Sequence, residues 1–224
     1  MIRKPTLIFG AHSLASCAAF NIVAEGGTVI AHVVDDAYVD KGTYEGRPLI
    51  PFSQLQQRFP ADECDALVVL GYTRMNDLRR ERCKQLQALG YRLQNYVSRH
   101  ATVWRDCRIG DNVLIFENCT VQPYVTLGVN VILRGSNIGH HSSIGDHSFI
   151  ATGVVTGGEV TISPHCFIGL GAVLRDGITI AERSFIGAGA VVVSDTEPDG
   201  VYVGNPAKRI AKSAMEITDG IIQT

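Results

Sequence analysis

From about residue 103 to residue 193 the chain keeps a hydrophobic period of six. Aliphatic side chains fall at Val103, Ile109, Ile115, Val121 and Leu127. The register then slips by one and resumes at Ile132, Ile138, Ile144, Ile150, Ile162, Ile168, Leu174, Ile180, Ile186 and Val192, with Thr156 the one polar member. Four residues after most of these positions stands something small or β-branched, among them Cys107, Val113, Ser142, Val154, Cys166, Ala172 and Ala190. A helix, at about 3.6 residues per turn, does not fit such a period. A hexapeptide repeat marks a parallel β-helix, in which six residues make one short strand and a turn, and three such units close a coil of about eighteen. The aliphatic residue points inward and the small one fits the corner, so the length yields about five coils.

The first half follows another rule. A short apolar run ends at Gly10, and Ser13 can cap a helix reaching about Glu25 before Gly26-Gly27 stops it. Residues 28–34 form a second strand that closes at Asp35-Asp36, and 66–71 is a continuous apolar strand of the kind covered on both faces. Asn76 or Asp77 caps a helix through Leu89, Gly90 ends it, and 91–97 is another strand. Strands alternating with helices predict a small parallel sheet whose ligands sit at the carboxyl ends of its strands. The expected division is therefore an α/β Rossmann-like domain over 1–98, an all-β parallel β-helix over 99–194, and a C-terminal cap over 195–224 with a short helix at about 207–217.

Composition narrows the partners. Twenty Lys and Arg against 22 Asp and Glu, a net charge of −2, leave no basic surface for nucleic acid or anionic lipid. No run of about eighteen apolar residues is present, so no membrane span is expected. Pro5, Gly10 and His12 interrupt the apolar stretch up to Phe20, which reads as strand, turn and helix rather than as a signal peptide. The six cysteines form no CxxC pair and no zinc-like spacing, so no metal site is expected and a cytoplasmic location fits.

The repeat [LIV]-[GAED]-x-x-[STAV]-x resembles that of the left-handed β-helix acyltransferases. The whole layout resembles the PglD/NeuD type of sugar acetyltransferase, in which a nucleotide-sugar domain precedes a trimeric β-helix. The most specific pieces are Ile138-Gly139-His140-His141, Ile144-Gly145-Asp146, Thr156-Gly157-Gly158-Glu159-Val160 and Val203-Gly204-Asn205-Pro206-Ala207-Lys208. The resemblance implies the left hand of the coil, a homotrimer, acetyl-CoA as co-substrate, and N-acetylation of a nucleotide-linked, typically dideoxy, amino sugar for glycans such as lipopolysaccharide O-antigen. Sugar O-acetylation of the sialic-acid type and a non-catalytic assembly module are the other readings. A γ-class carbonic anhydrase is disfavoured, because the gaps of six and seven between His147 and His141 or His140 do not match its zinc ligands.

Acyl transfer to an amine or hydroxyl needs a base near neutral pKa, and histidine suits it. Eighteen-residue stacking puts His140 over Gly158, whose turn offers space and a backbone N–H, which makes His140 the candidate base ahead of His141 and His147. His141, His147 and His165 share a slot that is ordinarily a solvated turn. Asp146 can orient His140, and Glu117 or Glu159 can serve equally. The resemblance implies acetyl-CoA contacts at Gly158, Leu170 and Ala188, and Lys208, following the Asn205-Pro206 turn with Arg209, can meet the CoA phosphates or the adenine region. Gly10, His12, Ser13, Asp35 and Asp36 are candidates for the nucleotide-sugar, although Gly10-Ala11-His12-Ser13 is thinner in glycine than the family's turn.

Overall fold

The computed structural model describes residues 4–39 and 42–219. Its first layer holds β1 (Thr6–Phe9), α1 (Ser13–Ala24), β2 (Val29–Val34), β3 (Thr43–Tyr44), β4 (Arg47–Pro51), α2 (Leu55–Arg58), β5 (Asp65–Val68) and α3 (Asp77–Ala88). The sheet order is β3-β4-β2-β1-β5, parallel except for the β3–β4 hairpin. Strands β1 and β5 are buried along their whole length, as a parallel sheet covered by helices on both faces requires. α1 starts at Ser13, and its N-cap is His12 in an extended conformation rather than Ser13. The expected strand over 91–97 dissolves into a single Leu93–Ala66 bridge. The backbone leaves this sheet there, and Tyr96–Val97 (β6) pairs instead with Leu114–Ile115. The β3–β4 hairpin was not read from the sequence, although its Glu45-Gly46 turn, with φ of 48° and 74°, is a two-residue hairpin signal.

The second layer is the β-helix. Sixteen two-residue strands, from Thr102–Val103 to Val191–Val192, lie on three parallel faces. The first face carries Thr102–Val103, Thr120–Val121, Asn137–Ile138, Val155–Thr156, Val173–Leu174 and Val191–Val192. The second carries Arg108–Ile109, Thr126–Leu127, Ser143–Ile144, Thr161–Ile162 and Thr179–Ile180. The third begins with β6 and continues through Leu114–Ile115, Ile132–Leu133, Phe149–Ile150, Phe167–Ile168 and Phe185–Ile186. The second residue of each strand points into one contiguous core. The register slip is placed differently from expectation. Leu133, not Ile132, continues the inward series after Leu127 and pairs with Ile150. The missing residue lies in the following turn, at Arg134-Gly135-Ser136, where Gly135 takes φ 44°. Ile132 points outward instead, into the cluster it shares with the first layer.

The tail closes the coil by extending the third face. Val201–Val203 pairs with Phe185–Ile186, and Lys208–Ile210 folds back on it antiparallel. The helix expected over 207–217 is therefore a strand and then a short helix, α4 (Ala214–Thr218), started by a Ser213–Glu216 capping box.

The outward residues decide how the layers meet. On the first two faces they are Thr, Asn, Ser, Arg or Val, whereas on the third they are Leu114, Ile132, Phe149, Phe167 and Phe185. That apolar ladder is the face on which the α/β layer docks. Tyr72 stacks on Phe167 at 4.0 Å and meets Phe149 edge-on at 5.6 Å.

Candidate active site

Each coil turns three corners. Between the first and second faces the chain passes Pro123, His140, Gly158 and Asp176 on successive coils. His140 lies against the Gly158 turn: a Cβ on Gly158 would touch Cε1 of the imidazole, with Nε2 at 2.6 Å and Nδ1 at 2.9 Å. A glycine is therefore required for His140 to hold this place. The Gly158 carbonyl accepts from Gly177 N–H, and its own N–H finds no acceptor among the described residues. The His140 backbone N–H donates to Gln122 Oε1 at 3.0 Å. Its Nδ1 faces Nδ1 of His141 at 3.1 Å. His141 takes φ 58°, and its ring lies 4.7 Å from that of Tyr124 on the coil before. An exposed imidazole beside a free backbone N–H is an arrangement able to act as a base next to an oxyanion donor.

The other expected cofactor positions sit elsewhere on the chain. Leu170 and Ala188 stack on the corner between the third and first faces, with Gly189 N–H donating to Leu170 O at 2.8 Å. Leu170 is 59% exposed. Lys208 is exposed on the terminal hairpin, opposite Val203. Asp146 sits on the remaining corner, between the second and third faces, where its Oδ1 accepts from Val129 N–H at 2.9 Å. The structure brings His140, His141 and Gly158 together; the group at His140 Nδ1 is His141, not Asp146. Glu117, an alternative orienting group, accepts from Asn21 Nδ2 of α1 at 2.9 Å. Within one chain, His140 and the Leu170–Ala188 pair stand at opposite edges of the first face.

In the α/β layer, Gly10, His12, Ser13, Asp35 and Asp36 do gather at the carboxyl ends of β1 and β2. Gly10 has φ 134°, and a Cβ there would collide with Val69 O. His12 Nε2–H donates to that same carbonyl at 3.1 Å, and burial pushes its pKa down. His32, buried in β2, donates from Nδ1 to Gly10 O at 2.8 Å. Asp35 is paired with Arg82 of α3 at 2.6 Å. Asp36 accepts from Ser53 N–H at 3.0 Å, and hydrogen bonding from the Ser53 side chain and then its backbone holds the carboxyl below the usual range. Ser13 is exposed. Among the described residues no group of three or more His, Cys, Asp or Glu is arranged to hold a metal ion. No described helix is long and apolar enough to cross a membrane.

Of His147 and His165, both expected to be solvated, the first is half-buried and the second buried. They stack at 4.8 Å under α3, because the outward turn at this corner is covered by the docked layer. His165 is buried, with Nδ1–H donating to Met75 O at 3.2 Å, 3.5 Å from Asp77. Burial drives His147 down to about 3. Beside them Arg79 is wholly buried and donates to carbonyls of Gly71 (2.8 Å), Asn130 (3.1 Å) and His147 (2.8 Å), and to Oδ1 of Asn76 and Asn130 (both 3.0 Å). Burial lowers even this guanidinium to about 10. Arg183 grips Asp77 through both guanidinium nitrogens at 3.0–3.1 Å. Burial raises the Asp77 pKa, but Arg183 outweighs it and holds the carboxyl below its usual range. This junction went unread. Its sequence signals were the 18-residue spacings of Phe149, Phe167 and Phe185 and of His147 and His165.

Comparison with known proteins places this architecture. A family model described as the GMPPB C-terminal domain matches residues 92–186. No curated protein matches the chain by sequence. The acetyltransferase domain of PglB from Neisseria gonorrhoeae FA1090, in complex with acetyl coenzyme A, is 27% identical; the alignment covers 93% of this chain and all of that one, with a TM-score of 0.84. PerB from Caulobacter crescentus, in complex with CoA and GDP-perosamine, is 24% identical over 92% of this chain and 97% of its own, with a TM-score of 0.85. A histidine-to-asparagine mutant of perosamine N-acetyltransferase from the same organism gives 23%, 93%, 97% and 0.86. The fold is thus the Rossmann-like domain expected from the strand–helix alternation, followed by the left-handed β-helix that the resemblance implied. In fold and layout the chain is similar to hexapeptide-repeat acetyltransferase domains such as that of PglB.

Proposed function

We propose that this chain transfers an acetyl group from acetyl-CoA to the amino group of a nucleotide-linked, dideoxy amino sugar, with His140 as general base. One observation carries the reading: the His140 imidazole lies on a glycine turn that a side chain would close, beside a free backbone N–H. The likeness to the PglB acetyltransferase domain, solved with acetyl coenzyme A, supports the donor. The names of PerB and of perosamine N-acetyltransferase support an amine acceptor over a hydroxyl.

The amine nitrogen attacks the thioester carbonyl carbon. As the N–C bond forms, the carbonyl electron pair moves to oxygen, where the Gly158 N–H can receive it, and His140 Nε2 takes one N–H proton. Collapse breaks the C–S bond, the pair leaves on sulfur, and the imidazolium returns its proton there. No covalent enzyme intermediate is needed.

Leu170 and Ala188 stand at the opposite edge of the first face from His140. A neighbouring copy can supply that corner, and we read the active form as a homotrimer with sites between copies. Val155 and Val173, each 42% exposed on the first face, support such a contact. Lys208 would meet the CoA phosphates. The Gly10–His12–Ser13 turn with Asp35 and Asp36 would hold the nucleotide, the first at the helix end where phosphate is favoured. On this reading the product feeds glycan assembly in the cytoplasm.

The test is CoA thiol release from acetyl-CoA with a panel of nucleotide-linked amino sugars, wild type beside His140→Ala. Turnover with one amine, reduced about 10²-fold or more in the variant, supports the proposal. Turnover only on a hydroxyl sugar turns it to O-acetylation. Absence of both turnover and acetyl-CoA binding defeats it in favour of an assembly module.

A further inference from the structure

We infer that His141 is a positioning residue that fixes the tautomer of His140. The inference rests on the base role proposed above. The two Nδ1 atoms lie 3.1 Å apart, with the rings at 86°. At that distance one proton stands between them, donated by one ring and accepted by the other. The two assignments have opposite consequences. If His140 donates, its Nε2 carries a lone pair and is free to take a proton from the acceptor amine. If His141 donates, the proton of neutral His140 is on Nε2 and the base is blocked. Proton abstraction therefore selects Nδ1–H on His140 and makes His141 the acceptor, with its own proton on Nε2.

The surroundings hold this arrangement. His141 is fixed by its place in the coil: its backbone N–H donates to Pro123 O at 3.1 Å, and its ring rests on Tyr124. His140 is fixed by Gln122 and by the Gly158 turn. His141 takes the left-handed φ, 58°, that the same slot takes in other coils, as at His147 and His165. When His140 accepts a proton at Nε2, the imidazolium keeps its Nδ1–H on the neutral His141 ring, which steadies the charge until the proton passes to the departing CoA sulfur.

Three variants and two readouts test the pair. In His141→Asn, Oδ1 stands where Nδ1 stood, and asparagine tolerates the left-handed backbone. His141→Phe keeps the ring on Tyr124 and removes the acceptor; His141→Ala removes both. Long-range proton–nitrogen NMR of histidine-labelled protein reads which nitrogen of His140 is protonated. The expected result is Nδ1–H in wild type and in His141→Asn, with loss of that preference in His141→Ala. In kinetics, Ala and Phe lower kcat by about 10- to 100-fold with KM for acetyl-CoA unchanged, and Asn recovers most of the loss. A His140 protonated on Nε2 in wild type overturns the inference. So does rescue by Phe but not by Asn, which would make His141 a packing residue. The NMR readout needs no turnover, so failure of the acetyl-transfer reading remains separable from failure of the pair.

Discussion

Replacing Gly158 with alanine tests the site at its tightest point. An added Cβ would stand 2.6 Å from Nε2 and 2.9 Å from Nδ1 of His140, closer than real Cβ contacts come. Something must yield. The backbone of Gly158 lies outside the left-handed region, so alanine itself is not strained there. The obstacle is an exposed side chain rather than main chain, so the ring swings away and the coil stays closed. The displacement needed to restore ordinary contact, to about 3.5 Å, is close to 1 Å. A shift of that size in a reacting group costs about 10²-fold in rate. The expected outcome is a kcat about 10²-fold lower with a thermal midpoint within about 2 °C of wild type. CoA thiol release and calorimetry on the same preparation check it. A Gly158→Ala protein as active as wild type would refute the placement of His140 as base. A protein that loses stability and activity together would show that the turn, not the ring, gives way.

Three further outcomes follow from the rest of the structure. Arg79→Met leaves several buried carbonyl and amide oxygens without a donor and should cost about 3–5 kcal/mol, lowering the thermal midpoint by roughly 10 °C. Acid should loosen the same junction. His147 is held down at about 3, against about 6.5 in an unfolded chain, so its contribution is present above pH 6.5 and is lost as pH falls toward 3. The full shift would correspond to about 5 kcal/mol, and solvent screening of the partly exposed ring reduces that to roughly 2. Asn130 Nδ2 donates to His147 Nδ1 at 3.0 Å, so His147→Asn keeps an acceptor there, and its denaturation midpoint should depend less on pH between 7 and 4.5. Gly10→Ala combines φ 134° with a collision against Val69 O; a loss of about 2 kcal/mol or more and weakened nucleotide-sugar binding in titration calorimetry are expected.

The six-residue period determined the β-helix and its core by itself, because each coil is a local event. A strand, a corner and the next strand are written in consecutive residues, and the aliphatic at each sixth position has only one direction to point. The same arithmetic put His140 over Gly158 and His147 over His165. One slip was misplaced because Ile132 and Leu133 are both aliphatic, and only the pairing of Leu133 with Ile150 shows which one faces inward. The tertiary structure alone decided what covers each corner. His141 and His147 occupy equivalent slots in their hexapeptides, yet one ring is exposed beside His140 and the other is neutral beneath α3. The choice lies in the outward residues of the third face, whose aromatic ladder draws the α/β layer onto that side. Docking is a contact between distant parts of the chain, and it turned two solvated histidines into part of a buried junction. It left the His140 corner open for chemistry.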